Sequence, residues 1–235
     1  MNNNFSDVIC IIPARGGSKG LLNKNVLELN GEPLIVRPIK EAKKSGVIGT
    51  ILVTTDDENI ANIAKQNGAV VPFLRPKELS GDLATTEETL KHAINTYEKI
   101  INKKFDIAVF LTATNIFRDY KWISQAVNIL KNNPDIESVF TGSKTHKNYW
   151  EKDSNGNWVR LKKWMSVYQS RQIRKFIIRE DTGLCCASRA HLWRVGRRIG
   201  DKVEIIIQEK DFSFIDIHSK KDLDLANLII KNFDT

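Results

Sequence analysis

Short apolar runs alternate with amphipathic stretches along most of this 235-residue chain, and that rhythm constrains its fold more than any other feature. Segments 8–12, 50–54, 69–73 and 107–111 read as strands, and 34–45, 58–67, 86–101 and 120–132 read as helices. In the third helical segment Leu90, Ala93, Ile94, Tyr97 and Ile101 recur on one face. Thr85 with Glu88 three residues later predicts a capping box, Asp119 predicts an N-cap, and Asn67-Gly68 predicts a helix stop. Such alternation implies an α/β fold with a largely parallel sheet covered on both faces. Ligands then belong at the carboxyl ends of the strands, where the loop at Arg15, Thr55 and the region after Leu111 converge.

The loop after the first strand carries unusual chemistry. It sets Arg15, Lys19 and Lys24 among Gly16, Gly17 and Gly20, and no Asp or Glu falls between Asp7 and Glu28. Glycines let backbone N–H groups approach an anion closely. Three cations without a nearby carboxylate suit a polyphosphate, although a plain basic surface loop has the same composition. The P-loop pattern does not fit, because Leu21 stands five positions after Gly16. The dinucleotide pattern is absent as well, since Gly17 and Gly20 lack its first glycine. Neither an ATPase nor a dehydrogenase is indicated.

Pro13, Ala14, Arg15, Ser18, Lys19, Lys24 and Asn25 spell Pro-Ala-Arg-x-x-Ser-Lys-x-x-x-x-Lys-Asn. Further ordered matches are Asn30-Gly31-Glu32-Pro33-Leu34-Ile35, the stretch from Val53 to Ala61, the stretch from Leu74 to Asp82, and Ile215-Asp216-Ile217 with Asp222-Leu223 following. In these motifs the chain resembles the acylneuraminate cytidylyltransferases, the CMP-sialic acid synthetase family. The resemblance covers most of the chain and is weakest at about 140–180. It implies a three-layer, doubly wound fold like that of nucleotide-diphospho-sugar transferases, formed by one domain over 1–235 with a small dimerisation arm at about 142–179. It also implies transfer of CMP from CTP to a 3-deoxy-2-keto sugar acid, releasing pyrophosphate. Nonulosonic acids such as sialic, legionaminic or pseudaminic acid lead as substrates, and an octulosonic acid of the Kdo type is the alternative.

The resemblance assigns site residues one by one. Arg15, Ser18, Lys19, Lys24 and Asn25 would hold the nucleotide triphosphate or brace its loop, and Arg75 with Thr86 would touch the cytidine side. Thr85 is a register alternative to Thr86. Asp82 matches an acid in the family's loop; a structural carboxylate that bonds loop amides is its other reading. Thr112, Thr114, Arg118, Arg179, Asp181 and Thr182 fall where the sugar acid binds. Asp216 is the metal candidate, for Mg2+, with Arg15 and Lys24 beside it as the catalytic set; a carboxylate capping the last helix is the other reading of Asp216. Two positions depart from the family pattern. His218 stands where a second acid is usual, and imidazole shifts the expectation toward Mn2+ or a base. Thr112 stands where a sugar-holding glutamine is usual. These departures also leave open a catalytically weak nucleotide-binding homologue.

Charge is uneven. The chain has 36 Lys and Arg against 28 Asp and Glu, and segment 142–179 holds ten basic residues against only Glu151 and Asp153. Tyr149, Trp150, Trp158, Trp164 and Tyr168 are interleaved there. Such a stripe suits a partner subunit or an anionic substrate; an RNA-binding module is the less favoured reading because no nucleic-acid motif is present. Asp153-Ser154-Asn155-Gly156-Asn157, between Tyr149-Trp150 and Trp158-Val159, predicts a hairpin. Segments 184–188, 203–207 and 212–217 read as further strands, and 220–231 as a closing helix. No apolar run approaches the ~20 residues that span a bilayer. The first seven residues lack a basic, apolar leader pattern, and Cys10, Cys185 and Cys186 suggest neither a disulfide framework nor a zinc site, so the cytoplasm is the expected compartment.

Overall fold

The computed structural model describes residues 5–18 and 20–233. The expectations placed on Lys19 and on residues 1–4 lie outside the described residues.

The chain begins with β1 (Val8–Pro13), whose loop leads to a short hairpin, β2 (Glu28–Leu29) and β3 (Glu32–Pro33), and to α1 (Val36–Lys44). There follow β4 (Thr50–Thr54), α2 (Glu58–Gln66), α3 (Thr86–Ile101), β5 (Ile107–Phe110) and α4 (Tyr120–Asn132). The second half adds β6 (Ser138–Thr145), a hairpin of β7 (Trp150–Lys152) and β8 (Trp158–Arg160), β9 (Ile177–Glu180) and β10 (Cys186–Arg189). It closes with α5 (Ala190–Arg194), β11 (Val203–Ile207) and α6 (Lys220–Asn232).

The main sheet runs β11-β6-β10-β5-β1-β4. β1 lies parallel to β4 and β5, and β6 parallel to β11, whereas β10 is antiparallel to both of its neighbours. Strand periodicity divides the core. Val8, Cys10 and Ile12 of β1 pack with Ile39 of α1, Ile60 of α2 and Val127 of α4. Ile9 and Ile11 point the other way, to Leu90 and Ile94 of α3 and to Trp193 of α5. The result is three layers with the sheet in the middle. All three cysteines are buried and unpaired, and burial pushes the Cys10 and Cys186 thiols up to about 12.

The local signals for the helices are realised. Thr85 and Glu88 form the reciprocal capping box of α3, at 3.1 Å and 3.0 Å. Asp119 accepts the Lys121 N–H at 2.9 Å to start α4, and Gly68 at φ +83° terminates α2.

Several expectations fail. Segment 69–73 forms only a bridge between Val70 and Leu52, because Pro72 has no N–H to extend a ladder. Segment 212–217 is not a strand. Phe212 takes a left-handed backbone at φ 63°, and the apolar alternation instead seats Ile215 and Ile217 against Leu223 and Ala226 of α6. Strands β6 and β9 were not expected, and β6 carries the sheet three residues past Gly142, the expected start of the arm. The expected strand at 184–188 starts later and runs against its neighbours, within a sheet that is otherwise largely parallel, as expected.

The predicted hairpin is present in the arm, with Trp150 opposite Arg160 and Lys152 opposite Trp158. The distal half of β6 pairs with β9 and ties the arm's base to the sheet. Trp158, Tyr168 and Ile173 are largely exposed. Among the described residues no helix is long and apolar enough to cross a membrane.

Candidate active site

Two adjoining cavities open at the carboxyl ends of β1, β4 and β5. The first, about 290 Å³, is lined by Arg15, Ser18, Lys24 and Asn25 of the basic loop and by Arg75, Thr86, Thr112 and Thr114. The second, about 430 Å³, is lined by Thr86 and Thr112 again, with Arg179, Asp181, Thr182 and Asp216. Shared walls at Thr86 and Thr112 make them neighbouring compartments of one site.

The loop of the first cavity is held from outside itself. The Gly16 N–H donates to Asp56 Oδ1 at 3.1 Å, and a Cβ on Gly16 would stand 2.7 Å from Asp57 Oδ2. A Cβ on Gly20 would stand 2.8 Å from the His218 carbonyl, so only glycine lets the loop pass this close to the Asp216 segment. Buried Asn25 donates to the Arg15 carbonyl at 2.9 Å and accepts the Ile35 N–H at 2.9 Å through its own carbonyl. Asn25 is therefore a brace of the loop. Arg15 pairs with Asp82 at 3.1 Å across the cavity. Arg75, only 5% exposed, donates Nε to Ser80 Oγ at 3.1 Å and lies 3.8 Å from Asp56. Burial lowers its pKa, and Asp56 opposes that. Thr85 is consumed by the capping box, which leaves Thr86 as the α3 hydroxyl on both cavities.

Lys24 is half-buried. Burial lowers its ammonium pKa, the Asp216 carboxylate nearby raises it, and Arg15 lowers it further. The three groups thus feel one another across the two cavities, Arg15 and Lys24 lining the first and Asp216 the second. Asp216 Oδ2 is 3.0 Å from His218 Nε2, while Asp216 Oδ1 is buried without a hydrogen-bond partner among the described residues. An orphaned carboxylate oxygen of this kind fits a divalent cation. Among the described residues no three His, Cys, Asp or Glu side chains gather as a metal cluster, so protein would supply only one or two ligands. The helix-cap reading of Asp216 fails: Ser219 and Asp222 form the capping box of α6.

In the second cavity Asp181 is fixed by Arg179 Nε at 2.7 Å and by the Ser143 hydroxyl. Thr182 Oγ1 accepts from Arg198 Nη1 at 3.1 Å. The Thr112 hydroxyl is engaged with Asn115 Oδ1 at 2.6 Å and accepts the Asn115 N–H at 3.3 Å. The Thr114 carbonyl accepts the Ile217 N–H at 3.1 Å and so ties the strand-end loop to the Asp216 segment.

Arg118 departs from its expected place among the sugar contacts. It is 4% exposed and lines neither cavity. Its Nη2 donates to the Thr112 and Gly183 carbonyls at 2.8 Å and 2.7 Å, and its Nε to the Leu184 carbonyl. Arg118 clamps the two loops that form the second cavity. Arg198 was not anticipated: it faces the cavity with Glu87 at 3.2 Å and Glu180 at 3.6 Å. It arrives from the loop after α5, where no local pattern marks it. Phe214 and Asn115 also line this cavity, and Asn115 lies between the expected Thr114 and Arg118 in sequence.

Known proteins supply the comparison. The N-acylneuraminate cytidylyltransferase of Escherichia coli is 37% identical over 140 residues, which is 60% of this chain and 32% of that protein. The pseudaminic acid cytidylyltransferase of Campylobacter jejuni is 41% identical over 106 residues, 45% of each chain. The matched segments thus span about a third to a half of these relatives' lengths. In fold, the CTP complex of a CMP:2-keto-3-deoxy-manno-octonic acid synthetase superposes with a TM-score of 0.67 at 12% identity, covering 95% of this chain and 98% of that one. The family profile described as Cytidylyltransferase matches residues 9–216, from β1 through Asp216, and the chain belongs to that family.

Proposed function

We propose that this protein is a CTP-dependent cytidylyltransferase that activates a nonulosonic acid, giving the CMP-sugar and pyrophosphate. One observation carries the reading: a cation-lined cavity that holds Lys24 and a second cavity that holds Asp216 share Thr86 and Thr112 as walls. That is the arrangement needed to bring a hydroxyl in line with an α-phosphate. The sequence similarity to sialic and pseudaminic acid cytidylyltransferases favours a nine-carbon acid over an octulosonic one.

Arg15 and Lys24 hold the triphosphate and offset charge that builds on the leaving pyrophosphate. At Gly17, where a Cβ would meet nothing within 4 Å, the loop backbone can approach the phosphates closely. Arg75 and Thr86 position the cytidine side. Asp181, Thr182 and Arg179 orient the sugar acid so that its C2 hydroxyl oxygen forms the bond to the α-phosphorus as the bond to pyrophosphate breaks. Asp216, with His218 beside it, would hold the divalent cation, Mg2+ or Mn2+, which supplies charge neutralisation and a lower pKa for the attacking hydroxyl. The protein acts in the cytoplasm as a homodimer joined through the arm, a reading supported by the exposure of Trp158, Tyr168 and Ile173 there.

The test is product formation from CTP with a panel of nonulosonic and octulosonic acids, read by mass spectrometry, with ATP, GTP and UTP as controls. A CMP-nonulosonate is the expected product. Product only with an octulosonic acid refutes the acceptor assignment, and no product with any acid in either Mg2+ or Mn2+ refutes the activity.

A further inference from the structure

A third cavity, about 300 Å³, lies behind the Arg118 clamp, between α1, the start of α4 and α6. Its walls bring together Arg37 and Lys44 of α1, Arg118, Lys121 of α4, and Lys210. Of its lining residues only Glu41 and Asp119 are carboxylates; Asp119 is engaged in capping α4, and Glu32, outside the lining, stands 4.0 Å from Arg37 Nε. None of Lys44, Lys121 or Lys210 has a carboxylate within ion-pair distance among the described residues there; Lys44 rests over the Tyr120 ring at 4.4 Å. Two guanidinium groups have unused donors. Arg37 Nε is buried without a hydrogen-bond partner among the described residues, although its Nη2 donates to the Leu29 carbonyl at 2.7 Å. Arg118 spends Nε and Nη2 on three carbonyls, and its Nη1 makes no hydrogen bond among the described residues. A buried guanidinium contacted only by carbonyls has no counter-charge of its own. Burial lowers the Arg118 pKa to about 10, consistent with a cation short of compensation.

We propose that this cavity is an anion site, separate from the nucleotide cavity, that takes the phosphate group of a small molecule. Phosphate fits better than a single carboxylate. It carries about 1.5 to 2 negative charges at neutral pH and three acceptor oxygens, enough to meet the excess positive charge and the free guanidinium edges together. Arg118 joins this cavity to the acceptor cavity, because the same guanidinium holds Thr112 and Gly183 in place. An anion bound behind it would brace the loops on which the acceptor rests.

The experiment titrates the full chain with inorganic phosphate at constant ionic strength, followed by amide chemical shifts, with chloride as control. Three variants accompany it: Lys44→Glu with Lys121→Glu, the same reversal at Lys65 and Lys99, and Arg15→Ala. All four lysines are exposed, and circular dichroism verifies their folding. Saturable binding is expected to weaken at least ten-fold in the Lys44 and Lys121 variant and to change less than two-fold in the other two. Pyrophosphate and CMP, titrated in the same way, identify whether a free, diphosphate or nucleotide phosphate binds best. Binding lost in Arg15→Ala, equal loss in both lysine pairs, or no saturation above chloride overturns the proposal. No sugar acid is needed, so the outcome is independent of the proposed reaction.

Discussion

Replacing Arg118 by Met separates a clamp from a substrate contact. The side chain is 4% exposed and donates to three backbone carbonyls, of Thr112, Gly183 and Leu184. Methionine fills much of the volume but donates nothing. The Gly183 carbonyl keeps the Thr112 N–H at 3.0 Å, so two carbonyls are left dry. Each costs about 1–3 kcal/mol, a gross loss of about 2–6 kcal/mol. Relief from burying a guanidinium that burial already disfavours offsets part of it. A net destabilisation of about 2–4 kcal/mol follows. For a chain of this size that lowers Tm by about 4–16 °C. Thermal unfolding by circular dichroism measures it, and initial rates give the accompanying KM values. The clamp reasoning expects the melting loss first, with KM for the acid rising because both acceptor loops loosen. A Tm within 2 °C or so of wild type together with a raised KM for the acid would refute it, since Arg118 would then be touching substrate.

Three further outcomes follow from the geometry. Asp216→Asn keeps the shape of the side chain but removes the charge from the orphaned oxygen; turnover should fall about 10²–10³-fold, the scale of losing one electrostatic contact to the reacting phosphate, with Tm unchanged, and near-normal turnover would remove Asp216 from the site. Glu98, 7% exposed, accepts from Arg194 at 2.8 Å and 2.7 Å and from the Phe105 N–H at 2.9 Å. Glu98→Ala should cost about 3 kcal/mol by stranding a partly buried Arg194. Burial raises the Glu98 pKa, but the hydrogen bonds and the Arg194 charge outweigh it and hold the pKa below the ordinary value. The folded pKa is therefore the lower one, so this stabilisation is fully present above the unfolded value near ~4.3 and fades as pH falls through the folded value; equal wild-type and variant melting at pH 7 would contradict it. Finally, Tyr168→Glu with Ile173→Glu should shift the protein from dimer to monomer in light scattering, and an unchanged mass would exclude this patch as the interface.

Much of the fold was legible because local forces decide it. The α3 boundaries were readable because Thr85 and Glu88 satisfy orphan N–H groups on their own, and β1 because its five apolar residues, Val8 to Ile12, have no alternative to burial. What escaped depends on partners distant in sequence. β6 and β9 exist by pairing with each other and with β10 and β11, and Phe212–Ile217 has strand-like alternation that serves α6 instead. The basic loop was legible as part of a site through its cations and glycines, and it lines the first cavity. The acceptor side did not: Arg198 reaches Thr182 from sixteen residues away, and Arg118 sits in a binding motif yet turns inward, because the carbonyls of Gly183 and Leu184 lie behind it. Asn25 shows the same limit on a smaller scale, since its motif position could not say whether it bonds ligand or braces Arg15.

The most direct test of the two-cavity account is initial-rate pyrophosphate release by wild-type protein and Asp181→Asn, with CTP and the sugar acid varied in turn. Asparagine preserves the side chain's shape while removing the charge that Arg179 and Ser143 hold in the acceptor cavity. The account predicts that KM for the acid rises at least ten-fold while KM for CTP stays within two-fold. A comparable rise in KM for CTP, or no change for the acid, would contradict the division into a nucleotide cavity and an acceptor cavity.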